Sequence, residues 1–352
     1  MASNPVSGVH LVGSVCLPSA EEVFRQVTTH LPNRLRRIPD GETQHRQAFT
    51  FFQQGAFSAA PEVLKKYDAS FNVAPSEPVT AEQLAAVVEK LSGEDVMQTS
   101  YDVHAKDSYA TFCKLREDGV IPPGVRFQVS LPCPVDVVVL VAEPYQAALE
   151  PLYEAALVRD LKKIEASIPA HDLAIQWDVA SPFAMMEGVV WPHFAPYVAD
   201  ANQHIKDMAV RLGNAVSRGV ELGFHFCYGD IGHRHFVEPK DLGRIVDVAA
   251  NVFARIDRPI NWLHVSAPAD RTDEAYFAPL QRLPLGEATE LYLGVVQPRD
   301  EEGTRRRIAA ASNVLQNRGF GVATECGMGR TPHEDFLPTM QVAAAVAAPL
   351  SP

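Results

Sequence analysis

Eight short apolar segments, each ending near glycine, proline or polar residues, alternate with helix-like stretches along most of the chain. They lie at residues 9–14, 35–41, 125–131, 173–178, 220–227, 260–266, 291–297 and 319–326. Strands that alternate with amphipathic helices are typical of parallel α/β proteins. Eight such units predict a (β/α)8 barrel, the TIM-barrel fold, since eight strands close that barrel.

The main alternative is an open, doubly wound sheet of the kind that binds dinucleotides. No Gly-x-Gly-x-x-Gly follows the first segment, which disfavours that alternative. Helices are predicted at residues 20–31, 80–91, 144–168, 198–218, 239–255, 303–318 and 334–346. Residues 43–124 are too many for one connecting helix, so we expect a helical insertion over the barrel mouth. The whole chain, residues 1–352, is then one catalytic barrel.

The composition limits the classes of partner. The chain of 352 residues is 47% hydrophobic and carries a net charge of −12, with no long basic run, which disfavours nucleic-acid binding. It shows no signal peptide and no apolar stretch of about 18 residues, so no membrane span is expected. Five widely spaced cysteines indicate a reducing, cytoplasmic location. We expect a small-molecule substrate; the oligomeric state is not indicated.

Two cysteines and a histidine lie where strands are predicted to end. His225 and Cys227 are separated by one residue, and Cys326 follows about a hundred residues later. Residues i and i+2 of a strand face the same side, so His225 and Cys227 can reach one metal ion. Imidazole and thiolate are ligands that Zn²⁺ prefers, and we therefore predict a zinc site.

Other polar residues share these strand ends, where TIM-barrel enzymes place their catalytic groups. The residues at or near such ends are Asp40, Asp178, His225, Cys227, His264, Gln297 and Cys326. Asp178 is a candidate base or amine ligand, with an inward-facing structural carboxylate as the alternative. Asp230, His233 and His235 follow the metal motif as candidate catalytic or metal-supporting groups, or as solvated loop residues.

Arginines near the second strand and near Cys326 are candidate carboxylate ligands. Arg36, Arg37, Asp40 and Glu42 form a charged cluster that either grips a substrate, through Arg37 and Asp40, or forms an ion-pair network. Arg330 follows Cys326 in Cys-Gly-Met-Gly-Arg and is the second candidate.

The His225-x-Cys227-Tyr and Glu325-Cys326-Gly motifs resemble the zinc site of the cobalamin-independent methionine synthase family. That family is a (β/α)8 barrel related to uroporphyrinogen decarboxylase. Gly13-Ser14 resembles its Gly-Ser after strand one, and Gln176-x-Asp178 resembles its Gln-x-Asp on strand four.

The resemblance extends over essentially the whole chain and implies roles for further residues. Ser14 and Gln176 are implied to contact the substrate. His264 stands where the family has a zinc-binding glutamate, so it is either a fourth ligand or a histidine that hydrogen-bonds in the mouth. Gln297-Pro-Arg299 replaces a family histidine, which makes Gln297 a candidate substrate contact.

The leading hypothesis is a zinc-dependent transferase that activates a small thiol as a zinc-bound thiolate for methyl or alkyl transfer. The alternative is a zinc-dependent lyase or hydrolase acting on a small carboxylated substrate, because a zinc ion with an open position supports either chemistry. The third hypothesis is a non-catalytic barrel with a closed four-ligand metal site.

Overall fold

Eight parallel strands form the barrel predicted from the sequence. The computed structural model describes residues 6–68, 72–188, 195–231, 234–316 and 318–351. The barrel strands are β1 (Val9–His10), β2 (Arg37–Pro39), β3 (Arg126–Pro132), β4 (Leu173–Val179), β5 (Glu221–Phe226), β6 (Trp262–Ser266), β7 (Glu290–Val296) and β8 (Gly321–Thr324). They are hydrogen-bonded in the order β1-β8-β7-β6-β5-β4-β3-β2.

The seam between β1 and β2 is joined by single hydrogen bonds instead of a ladder. The backbone N–H of Val9 donates to the Arg34 carbonyl at 2.8 Å, and that of Val15 donates to the Gly41 carbonyl at 2.8 Å. Both strands are shorter than the predicted segments. Pro39 lacks a backbone N–H, which prevents β2 from extending its pairing at that residue. The barrel is therefore nearly closed.

Helices surround the barrel close to where the sequence predicts them. The α-helices are α1 (Ala20–His30), α2 (Ala81–Leu91), α3 (Tyr101–Glu117), α4 (Pro134–Val138), α5 (Glu143–Ser167), α6 (Ser181–Met186), α7 (Ala201–Ala215), α8 (Gly243–Arg255), α9 (Glu274–Phe277), α10 (Glu301–Leu315) and α11 (Phe336–Val346). The capping box of Thr80 and Gln83 starts α2 as predicted. No helix among the described residues is long and apolar enough to cross a bilayer.

The segment of residues 43–124 contains several helices joined by irregular stretches, and only part of it is additional to the ordinary helices of the barrel. Helix α3 packs against α1 and α5, so it is the outer-layer helix that connects β2 to β3. Three short 3-10 helices, Gln44–Arg46, Phe51–Phe57 and Pro61–Val63, precede it together with α2. Residues that follow β2 line a cavity at the carboxyl ends of the strands.

An ion-pair network closes the amino-terminal end of the barrel. The Arg37 guanidinium bonds to Glu221 at 3.0 Å and to Glu290 at 2.9 Å, and it lies 4.1 Å from the centre of the Trp262 ring. Arg37, Glu221 and Glu290 are the first residues of their strands. Arg37 is therefore at the end opposite to the candidate site, and the structure favours the ion-pair alternative over substrate binding.

We expect Arg37→Met to destabilise the fold without affecting metal binding. The Arg37 side chain is 2% exposed, and its loss removes charged hydrogen bonds to Glu221 and Glu290, which keep Arg126 and Arg36 as partners. We expect the free energy of unfolding to fall by about 2 kcal/mol. Arg36→Met is the matched control, since Arg36 pairs with the same Glu290 but is 48% exposed, and it should cost under about 1 kcal/mol. Urea denaturation measures both; equal costs would contradict the assignment.

Candidate metal centre

His225, Cys227 and Cys326 converge at the carboxyl ends of β5 and β8. Each offers one ligand atom, and these three atoms lie within 4.8 Å of one another. The Cys326 Sγ is 3.6 Å from the Nε2 of His225. A tetrahedral zinc ion with ordinary Zn–S and Zn–N bonds separates the two donor atoms by about 3.6 Å, so the arrangement fits this metal.

A hydrogen-bond chain sets the tautomer of His225. The Thr324 carbonyl can only accept, so the Nε2 of His264, 3.1 Å away, carries a proton. Burial lowers the pKa of His264 to about 3, which keeps the ring neutral and leaves its Nδ1 as an acceptor. The Nδ1 of His225 then donates to it at 2.6 Å, and the lone pair of the His225 Nε2 faces Cys326. His225 is thereby prepared as a ligand.

His264 hydrogen-bonds to His225 and lies outside the group of three converging residues. Both of its ring nitrogens are engaged, one by His225 and the other by the Thr324 carbonyl. Among the described residues, the group whose donor atoms converge excludes His264. In place of the four-ligand set expected from the sequence, the structure brings three candidate ligands together with one histidine hydrogen-bonded to one of them. The structure agrees with the alternative prediction, in which His264 is a histidine that forms hydrogen bonds in the barrel mouth.

The Cys227 thiol is held protonated when no cation is bound. The pKa of Cys227 is raised well above its ordinary value, first by a hydrogen bond with Cys326 and then by burial. Burial, followed by the neighbouring His264, lowers the pKa of His225. Cation binding would therefore displace a proton from the Cys227 sulfur, while the histidine is already in the form that binds metal.

Ser14 holds the loop that carries Cys326. Its carbonyl accepts from the N–H of Met328 at 2.7 Å, and its hydroxyl oxygen accepts from the N–H of Gly329 at 3.1 Å. A Cβ on Gly327 would lie 2.4 Å from the Ser14 Oγ, so this approach requires glycine. Ser14, which the sequence predicted to contact a substrate, lines the cavity, but its polar atoms position the cysteine loop.

Gln176 orients Asp178. The indole N–H of Trp262 can only donate, and it bonds to the Gln176 Oε1 at 3.1 Å, which His10 also contacts at 2.7 Å. The amide nitrogen of Gln176 therefore points the other way and donates to the Asp178 Oδ1 at 2.8 Å. Asp178 lies beside His225 in the register of β4 and β5. Gln176, expected to bind substrate, is instead a support for a carboxyl group that lines the cavity.

Glu42 is a second buried carboxyl group in the cavity wall, and the sequence reasoning did not select it. Burial raises its pKa to about 8, although Arg46 and Arg330 oppose the shift. The pKa of Asp178 is raised well above its ordinary value by burial and then by Glu42. Two largely uncharged acids therefore share one cavity. The charged cluster after β2 was the available signal, but it did not distinguish Glu42 from its neighbours.

The remaining predicted residues occupy different places. Asp40 pairs with Arg46 at 2.7 Å and accepts from Ser108 at 2.8 Å, so its carboxylate is engaged by the protein. Gln297 lines a polar cavity. Asp230 begins a short two-stranded ribbon, Asp230–Ile231 with Arg234–His235, but its side chain is outside the described part of the chain, as is His233.

Two cavities meet at the candidate metal centre. One has a volume of about 290 Å³ and includes His225 and Cys326 in its wall together with Glu42 and Asp178. The other has a volume of about 370 Å³ and includes Cys227, Cys326 and Gln297. Arg330 lines both. The two cavities thus border the three converging residues from different sides, with Cys326 in both walls.

The ribbon is attached to the Cys326 loop by an ion pair. The His235 Nε2 lies 2.9 Å from Glu325, and its Nδ1 lies 2.9 Å from Glu238. Glu325 is the main cause that raises the pKa of His235 to about 10. His235 is therefore a cation at neutral pH, and it lines the polar cavity.

Comparison with known proteins supports the fold. No family model matches the chain, and no curated protein matches it. A solved B12-independent methionine synthase from Shewanella sp. W3-18-1, in complex with selenomethionine, is similar at a TM-score of 0.54 and 13% identity, over 98% of both chains. A putative vitamin-B12-independent methionine synthase from Listeria monocytogenes gives 0.50 and 13%, over 97% of this chain and 98% of its own. At this identity, the likeness establishes the shared barrel fold.

His264→Ala should weaken zinc binding without abolishing it. Loss of the hydrogen bond frees the His225 ring to rotate and change tautomer, and such supporting contacts are worth about 10–100-fold in metal affinity. Competition with a chelator of known affinity measures the change. His171→Ala is the control, since this histidine is 81% exposed. Cys227→Ser should lose far more affinity; a His264 variant equally damaged would make His264 a ligand.

His235 should remain protonated at pH 8. Its folded pKa is raised, so the stabilisation from its ion pairs is complete below about pH 6.5 and disappears as the pH rises through about 10. The His235 ring signals in an NMR titration report this directly. Glu325→Gln should lower the transition, and an unshifted histidine transition near pH 6.5 in the unaltered protein would refute the ion pair.

Proposed function

We propose that the chain is a zinc-dependent transferase of the methionine-synthase-like superfamily that activates a small thiol for methyl or alkyl transfer. The observation that carries the proposal is the convergence of His225, Cys227 and Cys326, with His264 holding the first of them in its metal-binding tautomer. The barrel fold shared with the B12-independent synthases is consistent with it. The proposal treats residues 1–352 as one catalytic barrel and Zn²⁺ as its cofactor.

Three protein ligands leave room for a substrate ligand. Structural zinc sites generally use four protein ligands, whereas catalytic sites use three and keep one position open. Zinc held at this position would keep a substrate thiol deprotonated at neutral pH, which makes the sulfur nucleophilic. His264 turns both ring nitrogens away from the open side, so it does not compete for that position.

The carboxyl groups of Glu42 and Asp178 would bind an amine on the thiol. The Oδ1 of Asp178 is occupied by Gln176, which leaves Oδ2 for the substrate. Burial disfavours the charged form of both acids, and a substrate ammonium group would restore it by direct charge pairing. The substrate would therefore be oriented by sulfur at one end and nitrogen at the other.

The same acids favour one competing function, a zinc-dependent lyase or hydrolase for a small carboxylated substrate. A carboxyl group that stays protonated near neutral pH can donate a proton to a leaving group. Arg330, which lines both cavities, would then bind the substrate carboxylate. The two functions differ in whether a thiol must bind at the metal centre.

Cobalt-substituted protein distinguishes them by a binding measurement. After confirmation of about one zinc per chain, Co²⁺ exchange provides a visible reporter, and a bound thiol should add a sulfur-to-cobalt charge-transfer band with release of about one proton. We expect 2-aminoethanethiol to bind more tightly than 2-mercaptoethanol. Asp178→Asn and Glu42→Gln should each reduce that preference about tenfold, because a hydrogen bond to a charged group is lost.

Glu187→Gln is the control, since this glutamate is paired with Arg244 at the surface. Absence of a spectral response to any thiol, together with turnover of a thiol-free substrate, would replace the transferase by the lyase or hydrolase. A protein that takes up no zinc would contradict both proposed functions.

A further inference from the structure

The cavity that faces His225 has an apolar wall that the proposed chemistry does not use. Five of its lining residues, Phe49, Phe51, Val139, Leu140 and Phe236, present hydrocarbon or ring surface. Two of them follow β2, two lie between α4 and α5, and Phe236 follows the ribbon. Three separate parts of the chain therefore contribute to one apolar surface beside the metal ligands.

Polar groups in the same wall are engaged by the protein. The Asp136 carboxylate accepts the backbone N–H groups of Ala180 at 3.1 Å and Ser181 at 2.6 Å. The Ser14 hydroxyl oxygen accepts from Gly329 at 3.1 Å. These groups hold neighbouring loops in place and are poor partners for a ligand. Apart from Glu42 and Asp178, the cavity wall therefore offers a bound molecule mainly hydrophobic contacts.

Backbone strain is concentrated in the segment that supplies two of the rings. Glu42, Gln44 and Phe49 have φ values of 45°, 62° and 52°. A left-handed conformation is rare for a residue other than glycine, and it is most unfavourable for a bulky one such as phenylalanine. Strained residues of this kind cluster at ligand clamps, where the surrounding structure maintains them. Glu42 and Phe49, two of these three residues, line the same cavity.

We infer that this cavity binds an apolar arm, an aryl or branched alkyl group, on the substrate that is activated at the metal centre. The inference rests on the proposed function, because the same wall contains His225, Cys326, Glu42 and Asp178. The volume of about 290 Å³ is sufficient, since an apolar cavity of about 150 Å³ already binds benzene. The substrate class is therefore a hydrophobic thiol whose carbon skeleton lies against Phe49 and Phe51.

A matched pair of thiols tests the arm separately from the sulfur. Cobalt-substituted protein is titrated with ethanethiol and with 2-phenylethanethiol, and 2-phenylethanol serves as a probe that lacks sulfur. We expect the phenyl group to tighten thiol binding at least about tenfold, because a buried aromatic ring is removed from water. We also expect 2-phenylethanol to bind weakly in ligand-observed NMR and to be displaced by 2-phenylethanethiol.

Variants at Phe49 separate contact from strain. Phe49→Ala and Phe49→Gly both remove the ring and should both abolish the preference for 2-phenylethanethiol. The glycine variant should melt at a higher temperature than the alanine variant, because glycine adopts a φ of 52° freely. Phe51→Ala provides a second, independent loss of a ring. Phe253→Ala, on α8, should leave the preference unchanged.

The outcomes distinguish this inference from the proposed function. Equal affinity for the two thiols, with a normal charge-transfer band, would overturn the apolar arm and leave the thiol chemistry standing. No band with either thiol, together with 2-phenylethanol binding that Phe49→Gly and Phe51→Ala abolish, would keep the apolar site and overturn the transferase. No binding of any of the three probes would overturn both.

Discussion

The hydrogen bond between the two imidazole rings of His225 and His264 is the contact on which the candidate centre depends. It joins β5 to β6, and the Thr324 carbonyl at the end of β8 fixes its direction. A backbone carbonyl cannot donate, so a single acceptor determines which nitrogen of each ring carries a proton. The ring nitrogen nearest Cys326 is then left as a lone pair. Three strands that meet only in the closed barrel are thus required for one ligand to bind metal.

The buried ionisable groups at the two ends of the barrel differ in whether their charged forms are stabilised. At the amino-terminal end, Arg37 is buried but is paired with Glu221 and Glu290, so the charges compensate each other. At the other end, burial raises the pKa of Glu42 and of Asp178 and favours their uncharged forms. The first arrangement is satisfied without a ligand. In the second, an approaching cation or ammonium group would favour the charged forms, and such perturbed groups cluster at functional sites.

Local patterns in the sequence were sufficient for the strands and for the His225-x-Cys227 pair, because strand periodicity places residues i and i+2 on one side. They were insufficient wherever a role depends on a distant neighbour. The sequence suggested His264 as a metal ligand, but its orientation is determined by Thr324 and His225. Arg36 and Arg37 are adjacent, and only the burial of Arg37 separates their roles. Glu42 enters the cavity through a positive φ, which no propensity for glutamate would suggest.

The neutral His264 beside His225 also has a consequence for charge. Two thiolates and one neutral imidazole cancel the charge of a divalent cation, so the loaded centre would be neutral in surroundings where His225 and Cys227 are each 2% exposed. A carboxylate ligand would add a negative charge beside Glu42 and Asp178 and would increase the cost of ionising either acid. With a neutral histidine in that position, the negative charge brought by an incoming thiolate is the first excess charge at the centre. An ammonium group on the same substrate would balance it, and the apolar wall formed by Phe49 and Phe51 would exclude the water that otherwise screens the two.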